Sequence, residues 1–339
     1  MAAATPDVIV VSIGATAGWQ GADRGLAAAL EAVGATVVMA QTGPVPEVRT
    51  FMLTDLIQAA AARRAAQRTF HDLRVARDAP GPAIVYCSIT AALLWPRPGA
   101  IWLDALAREN RPGHHGLWQR RVEIRRLAAS PMILAMAPSA LDSLPAARRP
   151  SAVVVPVSVD PSGPPGGTRD IDVVAYVGDP VKRRLDVILE AWGRARHEGE
   201  TLVVAGLERS GAPAPAGVRF AGPLAPDAFR ALLRRACVYA AAPVREDFGI
   251  TPLQALADGC RLVTTPAPGA YPALALARRL DPRLVSADLA TAIRTALDTS
   301  DPGYPQRAAS LLAPYHTEAV QARLAEDVLP RLLPGWAAA

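Results

Sequence analysis

The chain has 339 residues, of which 51% are hydrophobic and 20% charged, a size and composition that suit two globular domains with sizeable cores. Thirty-six basic and 31 acidic residues leave a net charge of +5, too small and too scattered for a dedicated nucleic-acid binder. No apolar run reaches the ~18 residues that span a bilayer, and three cysteines without CxxC spacing, Cys87, Cys237 and Cys260, read as buried core residues rather than a disulfide framework or zinc site.

The segment Met1 to Asp7 lacks a basic stretch and runs straight into a strand pattern, so no secretory signal is expected and the location expected is cytoplasmic. Almost all the positive charge is arginine, and Lys182 is the only lysine. With abundant Ala and Pro, this is the coding bias of a GC-rich, bacterial-type genome, so the high isoelectric point identifies no partner.

Short apolar runs alternate with longer amphipathic ones, the signature of βα units around parallel sheets. In the first half, strands are predicted at Val8–Ile13, Thr36–Ala40, Ala83–Ser88, Ala100–Asp104, Met132–Ala137 and Ala152–Val157, with helices at Ala22–Val33, Thr50–Leu73 and Leu117–Ala129. Pro and Gly crowd residues 161–167, which read as a linker. A second alternation follows. Its strands are predicted at Val173–Val177, Leu202–Ala205, Val218–Ala221, Val238–Ala242 and Leu262–Thr265, and its helices at Arg183–Arg196, Pro226–Ala236, Pro252–Ala257 and Leu289–Leu297. The expected division is residues 1–160, a linker 161–169, a second domain 170–315, and a tail helix over 316–339 that packs back on the first domain. The fold class is α/β, two Rossmann-like domains facing each other across a cleft, with ligands at the carboxyl ends of the strands.

The most informative stretch runs from Val238 to Gly259. A strand ends near Ala242, and a loop carries Arg245, Glu246, Asp247, Phe248 and Gly249 before Ile250 and Thr251-Pro252-Leu253-Gln254 open a helix. Thr251 suits an N-cap, Pro252 the first helical position, and Gln254 the third, a capping box. Amides at a helix start attract phosphate, and Gly249 allows close approach to the backbone. Glu246, just upstream, is placed to accept hydrogen bonds from sugar hydroxyls.

This segment resembles the donor signature of glycosyltransferase family 4, retaining enzymes of the GT-B fold: Glu, seven residues, Glu, with Phe-Gly after the first acid. The resemblance implies that Glu246 contacts the transferred sugar and that position 254 contacts the ribose of the nucleotide. Here that position is Gln254, a neutral acceptor, for which ribose contact and helix capping both stand as readings. The resemblance implies no metal or organic cofactor; the donor is a UDP- or GDP-linked sugar and the acceptor a small molecule or a lipid-linked hydroxyl. It is firm over residues 150–270 and looser before them.

Tyr176-Val-Gly-Asp-Pro-Val-Lys-Arg-Arg-Leu-Asp186 resembles the family's first strand and loop of the donor domain, where an Arg after the Gly and a later cation hold the diphosphate. Lys182 and Arg183 fit the second role. Asp179 stands where the Arg is expected, leaving Arg184 or Arg245 as substitutes. Cations are needed because breaking the anomeric bond leaves a diphosphate of growing negative charge. Gly206 and Gly222, which close the next two strands, complete the implied donor site.

In the first half, Gly14, Gly18 and Gly21 form a glycine-rich turn after the first strand. It resembles the family's donor- and acceptor-side loop, and reads equally as a plain strand–helix turn. Asp104 ends a strand and is the candidate that supports the transition state or orients the acceptor, against a helix-capping role. Arg120, Arg121, Arg125 and Arg126 flank Trp118 on one helix. They read as a solvated face, or as peripheral contact with an anionic membrane surface or lipid-phosphate acceptor. Asp179 and Gln254, both off the family pattern, also admit a non-catalytic, glycosyltransferase-like binding or scaffold subunit.

Overall fold

The computed structural model describes residues 5–336 apart from 15, 44–47, 49, 76–80, 165–166 and 209–212. Two compact units divide the chain, residues 1–158 with 317–339, and residues 159–316.

The first unit opens β1 (Val8–Ser12), α1 (Ala17–Ala32), β2 (Val37–Gln41), α2 (Phe51–Asp72), β3 (Ala83–Tyr86), α3 (Ile89–Leu93), β4 (Ala100–Leu103), α4 (Ala107–Asn110), α5 (Leu117–Ala129), β5 (Ile133–Ala135), α6 (Pro138–Asp142) and β6 (Ala152–Val154). Its six strands lie in the order β2-β1-β3-β4-β5-β6, all pairs parallel. Helices cover both faces of such a sheet, so its strands are apolar throughout rather than alternating. β1 and β4 accordingly have no exposed residue. Trp102 of β4 is fully buried, and its indole N–H donates to the Val155 carbonyl at 2.7 Å.

The second unit contains β7 (Ile171–Tyr176), α7 (Leu185–Ala195), β8 (Leu202–Ala205), β9 (Val218–Gly222), α8 (Pro226–Arg235), β10 (Ala236–Ala241), α9 (Ile250–Ala257), β11 (Arg261–Thr264), α10 (Pro272–Leu280), α11 (Leu289–Asp298) and α12 (Tyr304–Leu312). The strand order is β11-β10-β7-β8-β9, again parallel. Strand order reverses between β7 and β10, and in open parallel sheets the crevice at such a reversal is where ligands bind. The loops that leave the carboxyl ends of β7 and β10 are those carrying Lys182, Arg183 and Glu246. After α12 the chain rejoins the first unit as α13 (Thr317–Arg323), a π-helical turn over Leu324–Val328, and α14 (Leu329–Leu332). There α13 packs against α1.

Every predicted strand forms, within two residues at each end except β6, which stops three residues earlier. The helices α3, α4, α6, α10 and α12 were not predicted; α3, α4 and α6 are too short to show a helical period. α1 starts at Ala17 rather than Ala22, because Thr16 caps it by accepting from the Trp19 amide at 3.3 Å. Of the predicted glycine turn, Ala15 lies outside the described residues, as do Pro165 and Gly166 of the predicted linker. Among the described residues, no helix is long and apolar enough to cross a membrane.

Candidate donor site

Glu246 follows β10, and its residue is only 9% exposed. Its carboxylate accepts from the guanidinium of Arg183, which follows β7. Burial pushes the Glu246 carboxyl up from its ordinary value, and the Arg183 cation opposes that rise. Burial, the largest single influence, works against the charge on Arg183 as well, but Glu246 together with Tyr239 and Tyr271 outweighs it, and Arg183 is held above its ordinary value. The pair bridges the ends of β7 and β10, at the point where sheet order reverses.

The loop around Glu246 is fixed on both sides. The Glu246 amide donates to the Pro268 carbonyl at 3.0 Å, and the Tyr271 amide to the Asp247 carbonyl at 3.2 Å. Tyr271 is buried, with φ of 22°, an uncommon backbone conformation for a bulky residue. Its hydroxyl lies 3.1 Å from Thr264 Oγ1. Its ring lies against Gly249, where an added Cβ would sit 3.1 Å from the ring and 2.9 Å from Glu246 Cγ. Asp247 accepts from Arg245 at 2.6 Å, and Phe248 is buried. The segment 266–271 was not singled out from the sequence; its Pro-Ala-Pro-Gly signals a turn but not what the turn holds.

The predicted capping box at Thr251 does not form. Gly249, in the left-handed region at φ 76°, is itself the N-cap of α9, which starts at Ile250 and has no side-chain cap. Thr251 and Pro252 are thus inside the first turn, and capping no longer accounts for half-buried Gln254. The first amides of a helix have no intrahelical acceptor, so Ile250 and Thr251 present theirs at the carboxyl edge of the sheet, next to Glu246.

Across the reversal, Asp179 occupies the place of the expected arginine. Its carboxylate accepts from the amides of Val181 and Lys182 at 3.0 and 2.9 Å, and Lys182 Nζ stands 3.4 Å away. The Lys182 amide, joined by its ammonium and opposed by burial, holds the Asp179 carboxyl below its usual range. Lys182 remains well exposed, and its carbonyl accepts from the Val244 amide at 2.9 Å, tying this loop to the one after β10. The proposed substitutes do not replace the missing cation. Arg184 donates to the Ala242 carbonyl and to Thr265 Oγ1, both at 2.8 Å, and Arg245 pairs with Asp247. Arg184 thus acts as an anchor between the ends of β10 and β11.

Gly206 and Gly222 end β8 and β9 with φ of 92° and 68°, and the Gly206 amide donates to the Gly222 carbonyl at 2.8 Å. In the first unit, Gly18 and Gly21 are not in a loop but on the first turns of α1. Neither has a neighbour closer than 3.9 Å to where a Cβ would be. Gly14 is the turn residue, at φ 57°. Asp104 ends β4 half-buried and accepts from the Ala105 amide at 2.8 Å. It does not cap α4: the Ala107 amide donates to buried Glu123 at 2.5 Å, whose carboxyl burial raises to about 7. Of the four arginines on α5, two turn inward. Arg120 donates to the Arg111 and Gly113 carbonyls, and Arg126 donates to the Leu93 carbonyl and lies over the Trp95 ring. Arg121 and Arg125 are exposed, in line with exposed Leu117 and Ile124.

Residues 171–299 match the family model of glycosyl transferases group 1. Residues 171–299 thus form a glycosyltransferase domain of group 1. The architecture of the chain over its whole length matches GT-B glycosyltransferases, as three solved structures show. WaaG, a glycosyltransferase involved in lipopolysaccharide biosynthesis, is 15% identical, with a TM-score of 0.64 over 97% of this chain and 100% of that one. The trehalose-6-phosphate enzyme from E. coli, bound with UDP-2-fluoro glucose, is 12% identical, with a TM-score of 0.65 over 95% and 98%. Sucrose-phosphate synthase from Thermosynechococcus elongatus is 14% identical, with a TM-score of 0.63 over 95% and 97%. No curated protein sequence matches the chain. The matched domain lies within the second unit and contains Lys182, Arg183, Glu246 and α9.

Because any side chain at Gly249 meets Glu246 and Tyr271 in a backbone conformation that only glycine adopts freely, Gly249→Ala is expected to cost about 1–3 kcal/mol and most of the transfer activity. Tyr271→Phe keeps the ring and loses only one hydroxyl contact, so it should cost about 1 kcal/mol and leave activity near wild type. Chemical denaturation alongside transfer assays checks both. A fully active Gly249→Ala protein would show that this close packing does not position the site.

Proposed function

We propose that the enzyme moves a hexose-type sugar from a nucleotide diphosphate sugar to a hydroxyl acceptor with retention of anomeric configuration. The observation that carries this reading is the buried Glu246 carboxylate, paired with Arg183 and placed beside the bare helix start at Ile250. Such an acid accepts hydrogen bonds from sugar hydroxyls. The helix amides, Lys182 and the remaining N–H groups of Arg183 then face the diphosphate. As the anomeric C–O bond breaks, charge grows on that diphosphate, and fixed donors stabilise it without reorganising. Gly249, with Asp247 and Phe248, shapes the loop. Gln254 is the candidate ribose contact, and Gly206 and Gly222 line the nucleoside end. No cofactor is required on this reading, and UDP- and GDP-linked sugars both suit it.

Asp104, at the carboxyl end of its own strand, is the acceptor-side candidate, with Gly18 and Gly21 on the helix start beside the first strand. The acceptor class proposed is a small molecule or a lipid-linked hydroxyl, in cell-envelope polysaccharide, glycolipid or secondary-metabolite biosynthesis. Peripheral contact with the inner face of a membrane is part of this proposal. Its support is the exposed stripe Leu117, Arg121, Ile124 and Arg125, with Met52, Leu53 and Leu56 exposed on α2, which packs against α5. Apolar side chains beside cations suit an anionic lipid surface.

Two measurements test these readings. Release of nucleoside diphosphate from a panel of nucleotide sugars should fall at least about 10²-fold in Glu246→Gln, with circular dichroism unchanged; full activity in that variant would refute the donor-site assignment. In cosedimentation, wild type should bind phosphatidylglycerol vesicles and not phosphatidylcholine ones. Arg121→Glu with Arg125→Glu should abolish that binding. Binding that survives the double substitution would refute the membrane surface.

A further inference from the structure

Three neighbouring strands of the second unit, β7, β8 and β9, run into glycines at or just past their carboxyl ends: Gly178, Gly206 and Gly222. The half-buried ring of Tyr176 lies between the first two. A Cβ added at Gly206 would come within 2.8 Å of Tyr176 Cε2, and one at Gly178 within 2.8 Å of Tyr176 Oη. The ring is held from behind by Phe229, edge-on at 5.5 Å. The strand ends thus form a trough without side chains, floored by an aromatic ring. It begins at the loop of Lys182 and Arg183 and leads away from α9, in the direction β7, β8, β9.

Among the described residues, one charged side chain borders the far end of this trough. Glu208, exposed in the loop after β8, places Cγ at 3.3 Å and Oε1 at 3.7 Å from where a Cβ of Gly222 would be. With the phosphates at α9 and the Lys182–Arg183 loop, strand spacing of ~4.8 Å puts Glu208 two to three strands away, on the side where the base of a nucleoside diphosphate has to lie.

We infer that Glu208 reads the nucleobase and that the base is guanine, so the donor is a GDP-linked sugar. This rests on the donor-site reading above and adds the base to it. A carboxylate presents two acceptor oxygens and no donor. Guanine presents two adjacent donors, N1–H and N2–H, a bidentate match. Uracil presents a single N3–H between two carbonyl oxygens, so the second carboxylate oxygen meets an acceptor. Adenine presents a ring acceptor beside its amino group and fits no better. The aromatic floor at Tyr176 tolerates any base, so among the described residues the choice falls to Glu208.

The test is calorimetric titration of the full chain with GDP, UDP and ADP, in wild type and in Glu208→Gln and Glu208→Ala. Wild type is expected to bind GDP roughly tenfold or more tighter than UDP or ADP, the scale of one bidentate base contact. Both variants should lose that preference, through weaker GDP binding, while their melting temperatures and their UDP affinities stay unchanged. Equal or tighter binding of UDP by wild type overturns the guanine inference and leaves the donor-site reading intact. A GDP preference that persists in both variants removes Glu208 from the recognition. Failure to bind any of the three nucleotides overturns the donor-site reading itself.

Discussion

The buried ion pair between Arg183 and Glu246 is the interaction on which the donor site depends. Two charges taken out of water cost several kcal/mol each, and the attraction between them repays this only with good geometry. Here the geometry is imposed by the backbone. The amides of Glu246 and Tyr271 are each bonded to the opposite loop, and Gly249 brings the Tyr271 ring to the Glu246 side chain. The pair joins the ends of β7 and β10, the strands flanking the reversal of sheet order. A candidate functional acid is thereby fixed in a buried position beside a cation, where hydrogen bonds are stronger than in water.

The charge balance of the site differs from the two-cation clamp that the family resemblance led one to expect. Asp179 is not a neutral loss of an arginine. It fastens the Lys182 loop through two backbone amides and stands within ion-pair distance of the ammonium. Arg184 and Arg245 are committed to carbonyls, a threonine and a neighbouring aspartate. Arg183, Lys182 and the amides at the start of α9 are what remains to face a diphosphate. Arginine is the apt member of the central pair, because its fork can hold Glu246 through one nitrogen and still offer donors elsewhere.

Much of the frame was legible in the sequence because parallel strands buried on both faces are nearly uninterrupted apolar runs, as in Val8–Ser12 and Leu202–Ala205. Glu246 and Gly249 were legible for a chemical reason: an acid and a glycine between a strand end and a helix start have few other uses. The finer geometry was not. Thr251-Pro252-Leu253-Gln254 has the composition of a capping box, yet Gly249 can take a left-handed conformation and starts the helix two residues sooner. The arginines of α5 looked equivalent along the chain, but Arg120 and Arg126 find carbonyl acceptors contributed by distant segments, which local periodicity does not encode. Tyr271 gave no signal, since its role comes from a strained turn and contacts that only the folded chain brings together.

Amide hydrogen exchange of the intact protein, with and without a saturating nucleoside diphosphate, addresses the central claim most directly. Protection concentrated in 178–184 and 246–254, the two loops joined by the ion pair, is the expected result. Protection confined to other segments, or no protection under conditions where binding is measured independently, would contradict a donor site built on Arg183 and Glu246.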